Sequence, residues 1–194
     1  MTRRFHPVVE LPEEYDVLDL SGRDPTGGGK SRFSIGRYDE VRGIYSQPLF
    51  AGDEGGPRRT LHLGVDIGAP PGTPVHSFDE GEISYLRENS DDGDYGPTIV
   101  TLHRLDGAPI WALHGHLSRE SLRGLRPGQK LARGEVFASI GGEHENGGWP
   151  PHLHFQLSRV DPGEADMRGV FDPADREAAM AIHPDPRLVL GPIY

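Results

Sequence analysis

Two pairs of histidines have a spacing on which metal or proton-transfer chemistry can be built, His152-Leu153-His154 and His114-Gly115-His116. In a strand, alternate side chains leave one face, so the imidazoles of each pair would stand together with Cα atoms about 7 Å apart. That separation lets both serve one ion, or lets one bind it while the other acts on its ligand. His62 and Asp66 add an imidazole and a carboxylate four residues apart. A straight strand would hold their Cα atoms about 13 Å apart, so the chain must bend between them, and Gly64 offers the freedom to do so. Zinc accepts imidazole and carboxylate, and a set of two histidines and one aspartate leaves a fourth position for a water acidified to near neutrality. Further histidines, His114, His116 and His152, are suited to hold that water, orient a substrate oxygen or protonate a leaving group. The chain contains no H-E-x-x-H, so the general base is expected to be a histidine, and carboxylates are too few nearby for a bridged second ion.

The elements that must position these residues read as strands. Around His154, Leu153, Phe155 and Leu157 form a core face, while His152, His154 and Gln156 form a polar one; Leu61, Leu63, Val65 and Ile67 alternate in the same way. Strands are expected at 60–65, 73–77, 81–86, 98–103, 109–116, 135–140 and 152–158, separated by Gly, Pro and Asp turns. The 27 glycines and 18 prolines leave little room for long helices. Helices are expected only at 119–123 and 173–180, the second capped by Asp172 with Pro173 at its first position. The pattern predicts a mainly β chain of antiparallel sheets with short peripheral helices. Gly27-Gly28-Gly29-Lys30 lacks the phosphate-loop spacing and reads as loop, and Asp91, Asp92 and Asp94 read as a solvated turn. His76 and His103 are expected to be structural or exposed, and His144 to face solvent from its loop.

A net charge of -10 speaks against a nucleic-acid or anionic-membrane partner. There is no cysteine, and so no disulfide or thiol chemistry. No signal peptide or transmembrane run is visible, which makes a cytoplasmic address the expectation. Nothing in the sequence sets an oligomeric state.

Taken in order, the blocks His62-Leu63-Gly64-Val65-Asp66-Ile67-Gly68-Ala69-Pro70-Pro71-Gly72-Thr73-Pro74-Val75, Gly81-Glu82-Ile83, Asp94-Tyr95-Gly96, His114-Gly115-His116-Leu117-Ser118, Arg126-Pro127-Gly128 and Pro151-His152-Leu153-His154-Phe155 resemble the LytM/lysostaphin-like zinc metallopeptidases. This is peptidase family M23, the Duplicated Hybrid Motif architecture. The resemblance implies a groove floored by the larger sheet of a β-sandwich-like domain, one zinc ion held by His62, Asp66 and His154, and His116 and His152 acting on the activated water or the developing oxyanion. Where the family usually has a tyrosine, this chain has His114. Where the family usually has a short Gly-Ser/Thr-Gly-Pro approach to the last strand, this chain has Glu143 to Pro151, of which Asn146 to Pro151 is similar to a cytoplasmic subset of the family. His114, and Trp149 as a tryptophan in a polar, Gly/Pro-rich loop, are the expected substrate contacts. The expected organisation is an arm or groove cover over 1–45, a peptidase domain over 46–165, and a tail with one short helix over 166–194. The expected function is hydrolysis of a peptide or small amide. The alternatives are a latent or inactive zinc-binding scaffold, and a zinc hydrolase acting on a non-peptide small molecule.

Overall fold

A computed structural model describes residues 5–22, 31–52 and 55–194. The glycine run at 27–29 lies outside them. Eight strands form the main sheet, in the order β1 (Asp16–Val17), β2 (Ser34–Gly36), β5 (Val65–Gly68), β12 (His152–Ser158), β9 (Ala108–Gly115), β8 (Gly96–Leu105), β7 (Gly81–Asn89) and β10 (Lys130–Leu131). Its strands pair antiparallel except for β1 with β2. β6 (Pro74–His76) and β11 (Val136–Ser139) form a small ribbon, while β3 (Glu40–Val41), β4 (Leu61–His62) and β13 (Val170–Phe171) form a third sheet. The mainly β, antiparallel expectation holds.

One face of the main sheet makes the core. Val65, Ile67, Ile99, Ala112, Leu153, Phe155 and Leu157 are all within 1% of full burial and pack with Val75, Phe78, Leu117 and Ile140. The alternation in β12 sends Leu153, Phe155 and Leu157 into this core and His152, His154 and Gln156 the other way. That second face is covered too, by residues 42–50 and 166–170, so it becomes the floor of a cleft.

The single strand expected over 60–65 is two strands. β4 belongs to the third sheet and β5 to the main one, and the chain steps between them at Leu63-Gly64. Gly64 is required there: a Cβ would lie 2.3 Å from Cε1 of His154. The helix expected at 173–180 is a short 3-10 turn (Pro173–Asp175) continued by α1 (Arg176–Ile182), and Asp172 accepts from the Ala174 amide as a cap. A second helix, α2 (Arg187–Leu190), had no periodic signal.

The boundaries expected at residues 45 and 165 have no counterpart in the sheets. β2 pairs with β5, while β3 and β13 flank β4 on its two sides. Val8 and Val9 are core residues, and Tyr15 and Tyr38 bond to Ile193 and Tyr194 across the chain. The physical reason is that the edges of β4 and β5 carry backbone donors and acceptors that must be paired, and the flanking segments supply the partners. Among the described residues no helix is long and apolar enough to cross a membrane.

Candidate metal centre

Register brings the distant residues together. Asp66 on β5 lies directly opposite His154 on β12, so both side chains leave the same face. On the other side His154 faces Gly115, whose missing side chain makes room for the Tyr95 ring against His154. His62 arrives from β4, across the bend at Gly64. Its Nε2 is 3.2 Å from Asp66 Oδ1 and 3.1 Å from His154 Nδ1, which is itself 3.0 Å from Asp66 Oδ1. All three ligand atoms lie within 4.8 Å of one another.

The outer atom of each group is already engaged. His62 donates Nδ1–H to the Arg37 carbonyl at 3.0 Å, and His154 donates Nε2–H to Gln156 Oε1 at 3.0 Å. Each imidazole is thereby held in the tautomer whose lone pair faces the cluster, a second-layer arrangement characteristic of metal-binding histidines. Asp66 Oδ2 accepts from Arg42 Nη1 at 2.5 Å. One carboxylate oxygen and two imidazole nitrogens therefore converge unprotonated, a donor set that fits zinc.

Electrostatics favour the same state. Burial, reinforced by the Arg42 guanidinium, pushes the His62 pKa down to about 4, so its ring is neutral at pH 7. Burial works against the Asp66 charge, but attraction to the charged form of His62 and to the Arg42 guanidinium outweighs it and holds the carboxyl well below the usual range. At neutral pH, with His62 uncharged, Arg42 is the cation that sustains this.

His152 and His116 stand beside the cluster. His152 donates Nδ1–H to the Pro150 carbonyl at 2.7 Å, and its Nε2 is 3.8 Å from Asp66 Oδ1. His116 donates Nδ1–H to the Asn146 carbonyl at 2.7 Å, and the two rings are 4.3 Å apart. Both pKa values are lowered, chiefly by burial, with Asp66 and the Pro150 bond pulling against this for His152. His116 adopts φ 63°, a left-handed conformation that is uncommon for a side chain of this size and that turns it off the end of β9. A cavity of about 520 Å³ opens over the cluster, lined among others by Arg42, Tyr45, Phe50, Tyr95, His116 and Trp149, with the Trp149 ring 6.4 Å from those of Tyr45 and Phe50.

The model of "Peptidase family M23" matches residues 60–166, more than half of the chain. The chain belongs to peptidase family M23. It is 34% identical over 112 residues to the cell division protein DipM of Caulobacter vibrioides, covering 57% of this chain and 16% of DipM. It is 31% identical over 96 residues to the DD-carboxypeptidase/endopeptidase Mpg of Neisseria meningitidis, covering 50% of this chain and 20% of Mpg. The chain thus spans a fifth or less of these relatives. Among solved structures it is similar to the catalytic domain of the prophage-encoded M23 protein EnpA from Enterococcus faecalis (24% identity, TM-score 0.48, 71% of this chain and 88% of that one). It is also similar to a zinc-containing peptidase from Vibrio cholerae (22% identity, TM-score 0.48, 80% and 37%).

Of the residues expected at the site of this M23 chain, His62, Asp66, His116, His152, His154 and Trp149 line the cavity. Trp149 is fixed by Nε1–H to the Gly93 carbonyl and by both ends of the Asn146 amide. His114 is the correction. It pairs with Phe155, shares the core face, is 1% exposed, and packs against Phe137 and Phe155, so it makes no substrate contact. His144 lies 79% exposed, as expected of a loop residue. His76 bonds the Gly134 carbonyl, and His103 bonds Thr101 and the Glu80 carbonyl, both structural. Sequence reasoning missed Arg42, Tyr95, Gln156 as a partner of His154, and Asn146. For Arg42 the one available signal was its i,i+2 relation to Glu40 beside a tyrosine-rich stretch.

Proposed function

We propose that this M23 chain is a zinc-dependent hydrolase that cuts a peptide or small amide. The observation that carries the reading is the convergence of His62 Nε2, Asp66 Oδ1 and His154 Nδ1 with their outer atoms engaged and two further neutral histidines alongside. His62, Asp66 and His154 would hold the ion. A bound zinc supplies polarisation of the scissile carbonyl and a water acidified to near neutrality.

The roles of His116 and His152 follow from their tautomers. A neutral imidazole whose Nδ1–H is spent on a backbone carbonyl can only accept at Nε2. At rest both are therefore poised to take a proton from the attacking water. Once one has taken it, its Nε2–H becomes a donor, able to stabilise the tetrahedral oxyanion and then to protonate the leaving amine. The carbonyls of Pro150 and Asn146 fix the rings through this exchange. Trp149 and the cavity walls would hold the substrate chain, and about 520 Å³ is within the range of a small-ligand site.

Two relatives point to the substrate class. Mpg is named a DD-carboxypeptidase/endopeptidase, and DipM a cell division protein. A bond next to glycine or another small or D-configured residue is the substrate proposed here. The test is hydrolysis of a broad peptide and amide library by the purified, zinc-loaded chain, with product analysis to separate peptide from other amide cleavage. Activity abolished by chelation and restored by zinc is expected. No turnover of any member, while an M23 relative cuts several, would end the reading.

A further inference from the structure

Arg42 lies outside the segment that the family model matches, 20 positions before His62, yet its guanidinium reaches the floor of the site. It is only 2% exposed, and each of its nitrogens has a partner. Nε donates to Glu40 Oε2 at 2.9 Å, Nη2 to the Arg37 carbonyl at 3.1 Å, and Nη1 to Asp66 Oδ2 at 2.5 Å and to the Tyr45 hydroxyl at 3.2 Å. The group passes over Gly36, where a Cβ would lie 2.8 Å from Nη2. The Arg37 carbonyl that receives Nη2 also receives His62 Nδ1–H, so one backbone oxygen orients both the arginine and a ligand.

Four of the five guanidinium N–H groups are thus spent within the protein, on Glu40, Asp66, the Tyr45 hydroxyl and the Arg37 carbonyl. Its charge lies between the carboxylates of Glu40 and Asp66. Its geometry adds direction: it claims one oxygen of Asp66 and leaves the other facing the two imidazoles. We infer that Arg42 is a positioning residue that confines Asp66 to Oδ1 as its metal-facing atom, keeping a coordination place from being filled by Oδ2. This rests on the reading that His62, Asp66 and His154 hold a metal. It assigns to residues upstream of the matched region the job of keeping the centre open.

The planar fork matters, because an ammonium cannot span Glu40, Asp66 and the Arg37 carbonyl together. The experiment therefore uses Arg42→Lys, together with the double replacement Glu40→Gln/Arg42→Met, which removes the ion pair as a unit if the single change does not fold. Circular dichroism checks folding of the metal-free proteins. Zinc affinity is measured by competition with a chromophoric chelator, and the coordination number by the visible spectrum of the cobalt(II)-substituted protein. Expected for both variants are zinc affinity lower by roughly 10- to 100-fold and a weaker cobalt band, as Asp66 turns to give both oxygens. Unchanged affinity and spectrum would overturn the inference. Reduced affinity with an unchanged spectrum would also overturn it, leaving Arg42 a role in the fold alone. A wild-type chain that binds neither metal would instead remove the metal reading beneath it, so the two failures are distinguishable.

Discussion

Replacing His114 by phenylalanine tests the face that the sheet register assigns to it. The ring lies 5.0 Å from Phe137 and 5.3 Å from Phe155, its Nδ1 reaches the Ile99 carbonyl at 3.3 Å, and its Nε2 is buried without a hydrogen-bond partner. Burial, with His103 as the nearby like-charged group, lowers its pKa from 6.5 to about 3. Unfolding returns the ring to water and to its ordinary value, so between these two pH values the unfolded chain binds a proton that the folded chain does not. Stability contributed here is fully present above pH 6.5 and is lost as pH falls towards 3, by about 1.4 kcal/mol per unit. From pH 7.5 to 5.0 the loss is about 2 kcal/mol. Phenylalanine cannot take the proton. In urea titrations with a chelator present, the unfolding free energy of His114→Phe relative to wild type should shift by about 2 kcal/mol in the variant's favour over that interval. The offset at pH 7.5 decides nothing: relieving an unsatisfied nitrogen is worth about 1–3 kcal/mol, and a slightly larger ring costs a comparable amount. Other titrating groups act on both proteins and cancel. A difference that stays constant within a few tenths of a kcal/mol would refute the assignment, because it would mean that the ring is solvated or already charged.

His154→Ala should remove most bound zinc, whereas His152→Ala should keep it and lose turnover; metal analysis of the two purified variants showing equal loss would mean the pair is misassigned. Gly64→Ala changes no ligand, yet its methyl would fall 2.3 Å from His154 Cε1, so zinc retention should drop nearly as far as in His154→Ala while circular dichroism shows the sheets intact. Asn146→Ala removes the two bonds that brace Trp149 and loosens the loop whose carbonyl orients His116; the expected outcome is a stability loss of about 1–3 kcal/mol and a lower kcat with metal content unchanged. Trp149→Ala should raise KM more than it lowers kcat, read from initial rates on the best substrate of the library.

The candidate metal trio was legible because each member sits in a short, spaced block, and because alternation in β12 fixes which side chains share a face. The same rule misplaced His114, for a physical reason. In His152-Leu153-His154 the strand continues through both histidines, so they stand together. In His114-Gly115-His116 the strand ends at Gly115 and His116 takes φ 63°, which swings its ring onto the opposite face from His114. A positive φ on a non-glycine residue leaves no trace in composition or spacing. Strands of two residues, such as β1, β3, β10 and β13, are too short to show any period, which is why the flanks of the chain read as arm and tail.

The parts that could not be read are those in which one segment completes another. Gln156 is visible as the third polar residue of β12, but that its amide fixes the His154 tautomer depends on Arg168 and His183 holding its other end. Arg42 is likewise an ordinary residue in its own stretch and acquires a role only once β2 pairs with β5 and sets Gly36 opposite Asp66. The three candidate ligands lie within 60–166, whereas much of the cleft wall above them, Leu18, Leu20, Arg42, Tyr45 and Phe50, lies before it and Val170 after it. The three candidate ligands thus come from the matched region, while Arg42 and much of the shape presented to a substrate come from its flanks. Two M23 chains sharing the same three residues can therefore differ in what they admit, and substitutions at Leu18 or Phe50 should alter substrate choice without altering metal affinity.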